Sequence, residues 1–148
     1  MYQSTIKMLN TSDIKRFLRN RKDFLGVFAI DKLPIVLAPK PSGLVINLDE
    51  SFKPGSHWVA VYLPKNGPAH YFDPFGAPPP HNIAMFLDRN SKTGWTFNAS
   101  KFQGELSYLC GYYCVMFIKF APNFELFYQK LNSCNYDKND FNVLKFFN

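Results

Sequence analysis

Apolar residues come in short bursts between polar breaks through the first two thirds of the chain, then run together near the end. Thr11-Ser12-Asp13 supplies helix-start residues, and Ile14, Phe17 and Leu18 follow at helical spacing. Phe24-Leu25-Gly26-Val27-Phe28-Ala29-Ile30 has the length and apolar character of a strand. A Pro-rich excursion from Leu33 to Ser42 separates it from a second such run, Gly43-Leu44-Val45-Ile46-Asn47-Leu48. His57 to Leu63 and His70 to Asp73 read as two further strands, joined by the turn residues Pro64-Lys65-Asn66-Gly67-Pro68. Ala77-Pro78-Pro79-Pro80 stops this pattern and launches a helix from His81 to Asn90. Trp95-Thr96-Phe97-Asn98 has strand character. Gly111 to Phe120 is apolar and of helical length, with Pro122 marking its limit. Phe124 to Leu131 and Phe141 to Phe147 are the C-terminal helices the pattern predicts. Strands in the middle with helices at both ends predict an α+β fold, one domain over residues 1–148. Its sheet is expected to be largely antiparallel, with the central helix packed on one face.

Composition supports a packed core. The chain has 148 residues, 47% hydrophobic and 19% charged, which suits a single folded domain. No apolar run approaches the roughly 18 to 20 residues needed to span a bilayer. The opening MYQSTIKMLNTSDIKRFL lacks the apolar stretch of a secretion signal. An intracellular monomer without a membrane partner is therefore the expectation. The formal net charge is +6, and Lys15, Arg16, Arg19, Arg21 and Lys22 form its densest cluster. Such a cluster either lies along a phosphate backbone or is a solvated helix face. Cys110, Cys114 and Cys134 are odd in number and late in the chain, which argues against a disulfide framework. No CxxC pair exists and the histidines lack ligand spacing, so no metal is expected.

Candidate chemistry begins with Cys110. It precedes Gly111 at the start of an apolar helical run, where unpaired N–H groups and the helix dipole favour a thiolate. Gly111 leaves room for a substrate backbone beside the sulfur. A buried, inert cysteine is the competing reading. Cys114, one helical turn further on, is expected to face the core, and Cys134 to be exposed. A nucleophilic thiol needs a base, and the base an orienting group. His57 starts a strand and Asp73 ends the next, 16 positions on. As hairpin partners they would share one sheet end, where carboxylate and imidazole can hydrogen-bond. His57 alone fits a structural role equally well, and His70 and His81 are expected at the surface. Gln103, seven residues before Cys110, offers a side-chain amide that with the Cys110 backbone N–H can face a developing oxyanion.

His57-Trp58, Tyr71-Phe72-Asp73-Pro74-Phe75-Gly76, Gln103 and Cys110-Gly111-Tyr112-Tyr113-Cys114 together resemble the adenovirus-type (adenain-like) maturation proteases, closest to those of Polinton/Maverick elements and virophages. That group is similar in fold to the papain-like, Ulp1-type SUMO proteases. The resemblance covers roughly residues 10 to 121 and extends to Phe24-Leu25-Gly26-Val27-Phe28 and Gly43-Leu44-Val45-Ile46-Asn47. It implies a cysteine endopeptidase with Cys110 as nucleophile, His57 as base then acid, Asp73 as orienter and Gln103 as oxyanion donor. Substrates would be viral capsid precursors cut at Gly-Gly or Gly-Xaa sites, in the virion and in a host nucleus or viral factory. Trp58 would narrow a glycine-only slot, with core packing as its alternative role. Asp73 stands where adenovirus enzymes carry Glu. No cysteine precedes Cys110, so the disulfide-tethered peptide that activates adenovirus enzymes has no attachment point. The chemistry itself needs no cofactor; DNA or a noncovalent peptide remains a candidate activator. A deconjugase for SUMO- or ubiquitin-like modifiers and a non-catalytic DNA-binding or scaffold module are the alternatives.

Overall fold

The computed structural model describes residues 7–51 and 57–148. A five-stranded sheet in the order β1 (Phe24–Ala29), β2 (Ser42–Asn47), β3 (Trp58–Leu63), β4 (Ala69–Phe72), β5 (Trp95–Phe97) forms the centre. The three inner strands are antiparallel, and for β3 and β4 the turn residues Pro64 to Pro68 predict it. Both edge strands join in parallel, β1 on β2 and β5 on β4. The long Leu33–Pro41 excursion lets β1 and β2 run in the same direction, and the helix between β4 and β5 does the same at the other edge.

Helices cover both faces. α1 (Thr11–Leu18), α3 (Cys110–Phe120), α4 (Phe124–Gln129) and α5 (Tyr136–Phe146) lie on one side, with α3 against β3. On the other, Ile83, Phe86 and Leu87 of α2 (His81–Asn90) pack on Leu44, Ile46, Val59 and Val61. This explains why β2 and β3 are buried at every position rather than alternating. α3 is apolar on nearly all sides because it is enclosed by the sheet, α1, α4 and α5.

Two expectations change. α5 starts at Tyr136 rather than Phe141: Asn135 caps it by accepting from the Lys138 N–H, and its first buried residue is Asn139, a polar group that breaks the apolar pattern. His70 is not at the surface. It is buried on β4, hydrogen-bonded to Thr96 Oγ1 at 2.7 Å and Tyr128 Oη at 2.5 Å, with its ring among Phe117 and Phe124. Burial pushes its imidazole down to about 4, so it is a neutral core group.

Candidate active site

The hairpin register sets Ala60 opposite Phe72, so the residue before β3 and the residue after β4 meet at one end of the sheet. There His57 Nε2 lies 2.7 Å from Asp73 Oδ1. The same carboxylate oxygen accepts the Phe75 N–H at 2.8 Å, and the Phe75 ring stacks on the imidazole at 4.6 Å between centroids. Asp73 and Phe75 thereby fix both the hydrogen bond and the plane of the ring.

α3 delivers the thiol to this end. Cys110 is its first residue, and the preceding Leu109 provides no side-chain cap, so the tip's backbone donors are not used up by a cap. The Trp58 N–H donates to Cys110 Sγ at 3.4 Å. Trp58 directly follows His57, so this bond sets the sulfur beside the histidine, and Cys110 is with Asp73 one of the two groups that favour the charged imidazole. With Nε2 committed to Asp73, the nitrogen left to face the sulfur is Nδ1. Burial of the His57 ring opposes its protonation, but hydrogen bonds and charges from Asp73 and Cys110 outweigh that and raise the imidazole to about 9. All three side chains are largely shielded: Cys110 is 4% exposed and the His57 and Asp73 side chains 14% and 4%. Electrostatic interactions act strongly in such a site.

Gln103 is fully buried in the loop before α3. Its Nε2 donates to the Ser107 carbonyl at 2.9 Å and to Ser107 Oγ at 3.3 Å, while its Oε1 has no partner among the described residues. The amide thus braces the loop that leads into Cys110. Trp58 is 7% exposed and donates its indole N–H to the Leu9 carbonyl at 3.0 Å. It also lines a cleft of about 510 Å³ with Leu9, Val27, Phe28 and Asn47. Gly111 corrects its sequence reading. A Cβ there would lie 3.0 Å from Leu9 Cβ and 3.3 Å from Trp58 Cδ1, so the glycine admits the chain's own N-terminal segment rather than opening onto free space.

The remaining cysteines lie as expected, Cys114 buried and Cys134 exposed. Burial pushes the Cys114 thiol well above its usual range, which leaves it inert. The basic cluster is divided. Arg16 pairs with Asp13 at 3.2 Å. Arg21 is spent inside the molecule, on Asp23 and on the carbonyls of Lys119 and Ala121 at the end of α3. Lys15, Arg19 and Lys22 are exposed. Sequence reasoning missed two residues that hold the site, Phe75 and Asn98. Phe75 sits inside the Asp73-Pro74-Phe75-Gly76 motif. The signal at Asn98 is a lone amide directly after an aromatic strand, a position where such side chains bond to nearby backbone.

No protein-family model matches the chain, and no curated protein matches it. Solved structures do. The crystal structure of the ASFV pS273R protease aligns with a TM-score of 0.61 and 17% identity, over 92% of this chain and 66% of that one. Its selenomethionine form gives 0.61 and 18% over the same shares. The fold is that of the ASFV pS273R protease. The Ulp1-like α+β architecture expected from the sequence is therefore present, and this chain spans just under two thirds of that protein's length.

Proposed function

We propose that this chain is a cysteine endopeptidase using Cys110, His57 and Asp73. The observation that supports the reading is the His57–Asp73 hydrogen bond at one end of the sheet, with the Cys110 thiol held there, at the tip of α3, by the Trp58 N–H. In the reaction, the shared proton already rests on His57 as an imidazolium, and the Cys110 sulfur attacks the scissile carbonyl carbon. Negative charge then collects on the carbonyl oxygen, beside the first N–H groups of α3. The imidazolium returns its proton to the leaving amine as the C–N bond breaks. Water, deprotonated by His57, next attacks the thioester and frees the acid product and the thiol. Asp73 holds the ring's tautomer and stabilises its cationic form throughout.

Gln103 fits the oxyanion role on one condition. Its amide carries two N–H groups; the stronger bond holds the Ser107 carbonyl, and the second, at 3.3 Å from Ser107 Oγ, is the one that can turn to a substrate. The motif resemblance to adenain-like proteases supports substrates of the viral or virus-like transposon precursor type, cut at Gly-Gly or Gly-Xaa bonds. The nearly enclosed sulfur favours such slender residues. Lys15, Arg19 and Lys22 remain available for DNA, and any peptide activator would bind noncovalently.

The deciding experiment uses purified protein and a peptide containing aliphatic-Xaa-Gly-Gly. Cleavage is expected, with Cys110→Ala and His57→Ala each inactive. Full activity in Cys110→Ala defeats the proposal. A ubiquitin-like modifier fused to a reporter should stay uncut; efficient release of the reporter, with no cleavage of the peptide, assigns the chain to deconjugation instead.

A further inference from the structure

Pro74 follows β4 and has no N–H, so the parallel ladder between β4 and β5 cannot continue past Asp73 by backbone pairing alone. A side chain takes over. Asn98, next after β5 and 7% exposed, accepts the Asp73 N–H on Oδ1 at 3.0 Å. Its Nδ2 donates to the Asp73 carbonyl at 2.6 Å and to the Ser100 carbonyl at 3.1 Å. The carboxamide therefore behaves as one extra peptide group, with every polar atom used.

What it joins is the reason it matters. On one side is the turn that carries Asp73, whose carboxylate faces His57. On the other is the segment that carries Gln103 and leads to Cys110. The two are packed backbone to backbone: the Pro74 carbonyl accepts the N–H groups of Phe102 and Gln103 at 2.9 and 3.0 Å. Gly76, at φ 77°, admits no side chain there, since a Cβ would meet the Ser100 carbonyl at 2.8 Å. Asn98 is the side chain that stitches this seam from within.

We propose that Asn98 is a positioning residue that holds the Asp73 carboxylate on His57 and keeps the Gln103 segment in register with it. The inference rests on the protease reading, yet its primary test does not need turnover. Two groups decide the charge state of His57: Asp73 on Nε2 and the Cys110 side chain. Without Asn98 the Asp73 backbone loses its clamp, the carboxylate drifts from the ring, and burial then favours the neutral imidazole.

The experiment is an NMR titration of the histidine ring signals of the whole protein, with His57 assigned by its absence in His57→Ala. In Asn98→Ala the His57 midpoint should fall by about one pH unit or more. Asn98→Leu keeps the size, loses the acceptor and both Nδ2 donors and adds no charge; it should show a fall in the same direction and serves if Asn98→Ala does not fold. Where peptide cleavage is measurable, kcat should drop about 10- to 100-fold with KM changed less than about threefold, because substrate contacts are untouched. A His57 midpoint unmoved in a folded variant overturns the proposal. If wild-type protein cuts no peptide, the protease reading fails, and the titration still decides the role of Asn98 in holding Asp73.

Discussion

Gln103 shows how far a single residue can be read from sequence. Its position before Cys110 makes it a candidate oxyanion donor, but its immediate partner, Ser107, depends on the path of an irregular loop that no periodicity encodes. The two observations agree if Gln103 is first a brace and then a donor. Replacement by Ala should then lower kcat about 10²- to 10³-fold through loss of the oxyanion hydrogen bond. Replacement of Ser107 by Ala keeps the 2.9 Å bond to the Ser107 carbonyl, removes the 3.3 Å contacts of its hydroxyl with Gln103 and with the Leu109 N–H, and should leave kcat within about threefold. Steady-state kinetics on the two variants measures both; equal losses would mean the amide acts only by holding the loop. The meeting of Cys110, His57 and Asp73 at one end of the sheet was legible because each stands at the end of a strand or helix that the pattern marks. Asn98 and Phe75 were not, because backbone clamping and ring stacking are available to many residue types.

At the level of elements, the strands and α2 were legible because turn residues and prolines bound them closely. The parallel edges were not, since strand direction depends on where a connection travels. α5 was foreshortened in the reading for a physical reason: its buried Asn139 bonds to the carbonyls of Phe102 and Asn132, a polar contact that looks like solvent exposure in a sequence. The same confusion applies to Arg21. It reads as part of a basic stripe, yet its guanidinium satisfies carbonyls at the C-terminal end of α3 while pairing with Asp23, which also accepts from Tyr62 Oη at 2.5 Å. Arg21→Met should therefore cost about 2 kcal/mol or more of unfolding free energy, read by denaturant titration, since it strips charged hydrogen bonds from a half-buried carboxylate. Lys15→Glu with Lys22→Glu should leave stability almost unchanged. If α1 tracks phosphates, that pair should also weaken duplex DNA binding and flatten its dependence on salt. Binding indifferent to salt in the unaltered protein rejects the phosphate-tracking role.

Across the whole molecule, half-buried His57 and buried His70 give the fold opposite responses to pH. His57 is raised from 6.5 to about 9, so the folded state holds its proton more tightly than the unfolded chain. That contribution is complete below pH 6.5 and is lost as pH climbs toward 9. His70 is lowered from 6.5 to about 4 by burial, so the unfolded chain takes up a proton that the core refuses. Its contribution is complete above pH 6.5 and is lost as pH falls toward 4. Thermal unfolding followed from pH 4 to 9 should accordingly peak near 6.5 and decline on both sides. His57→Gln should flatten the alkaline limb and spare the acid one, since it leaves His70 among Phe117, Phe124 and Tyr128. His70→Gln keeps amide groups near Thr96 and Tyr128 and should flatten the acid limb between 6.5 and 4, after lowering stability overall by disturbing the aromatic packing. An alkaline limb that survives His57→Gln unchanged would mean that Asp73 and Cys110 do not hold a proton on that ring, and the catalytic assignment would lose its electrostatic basis.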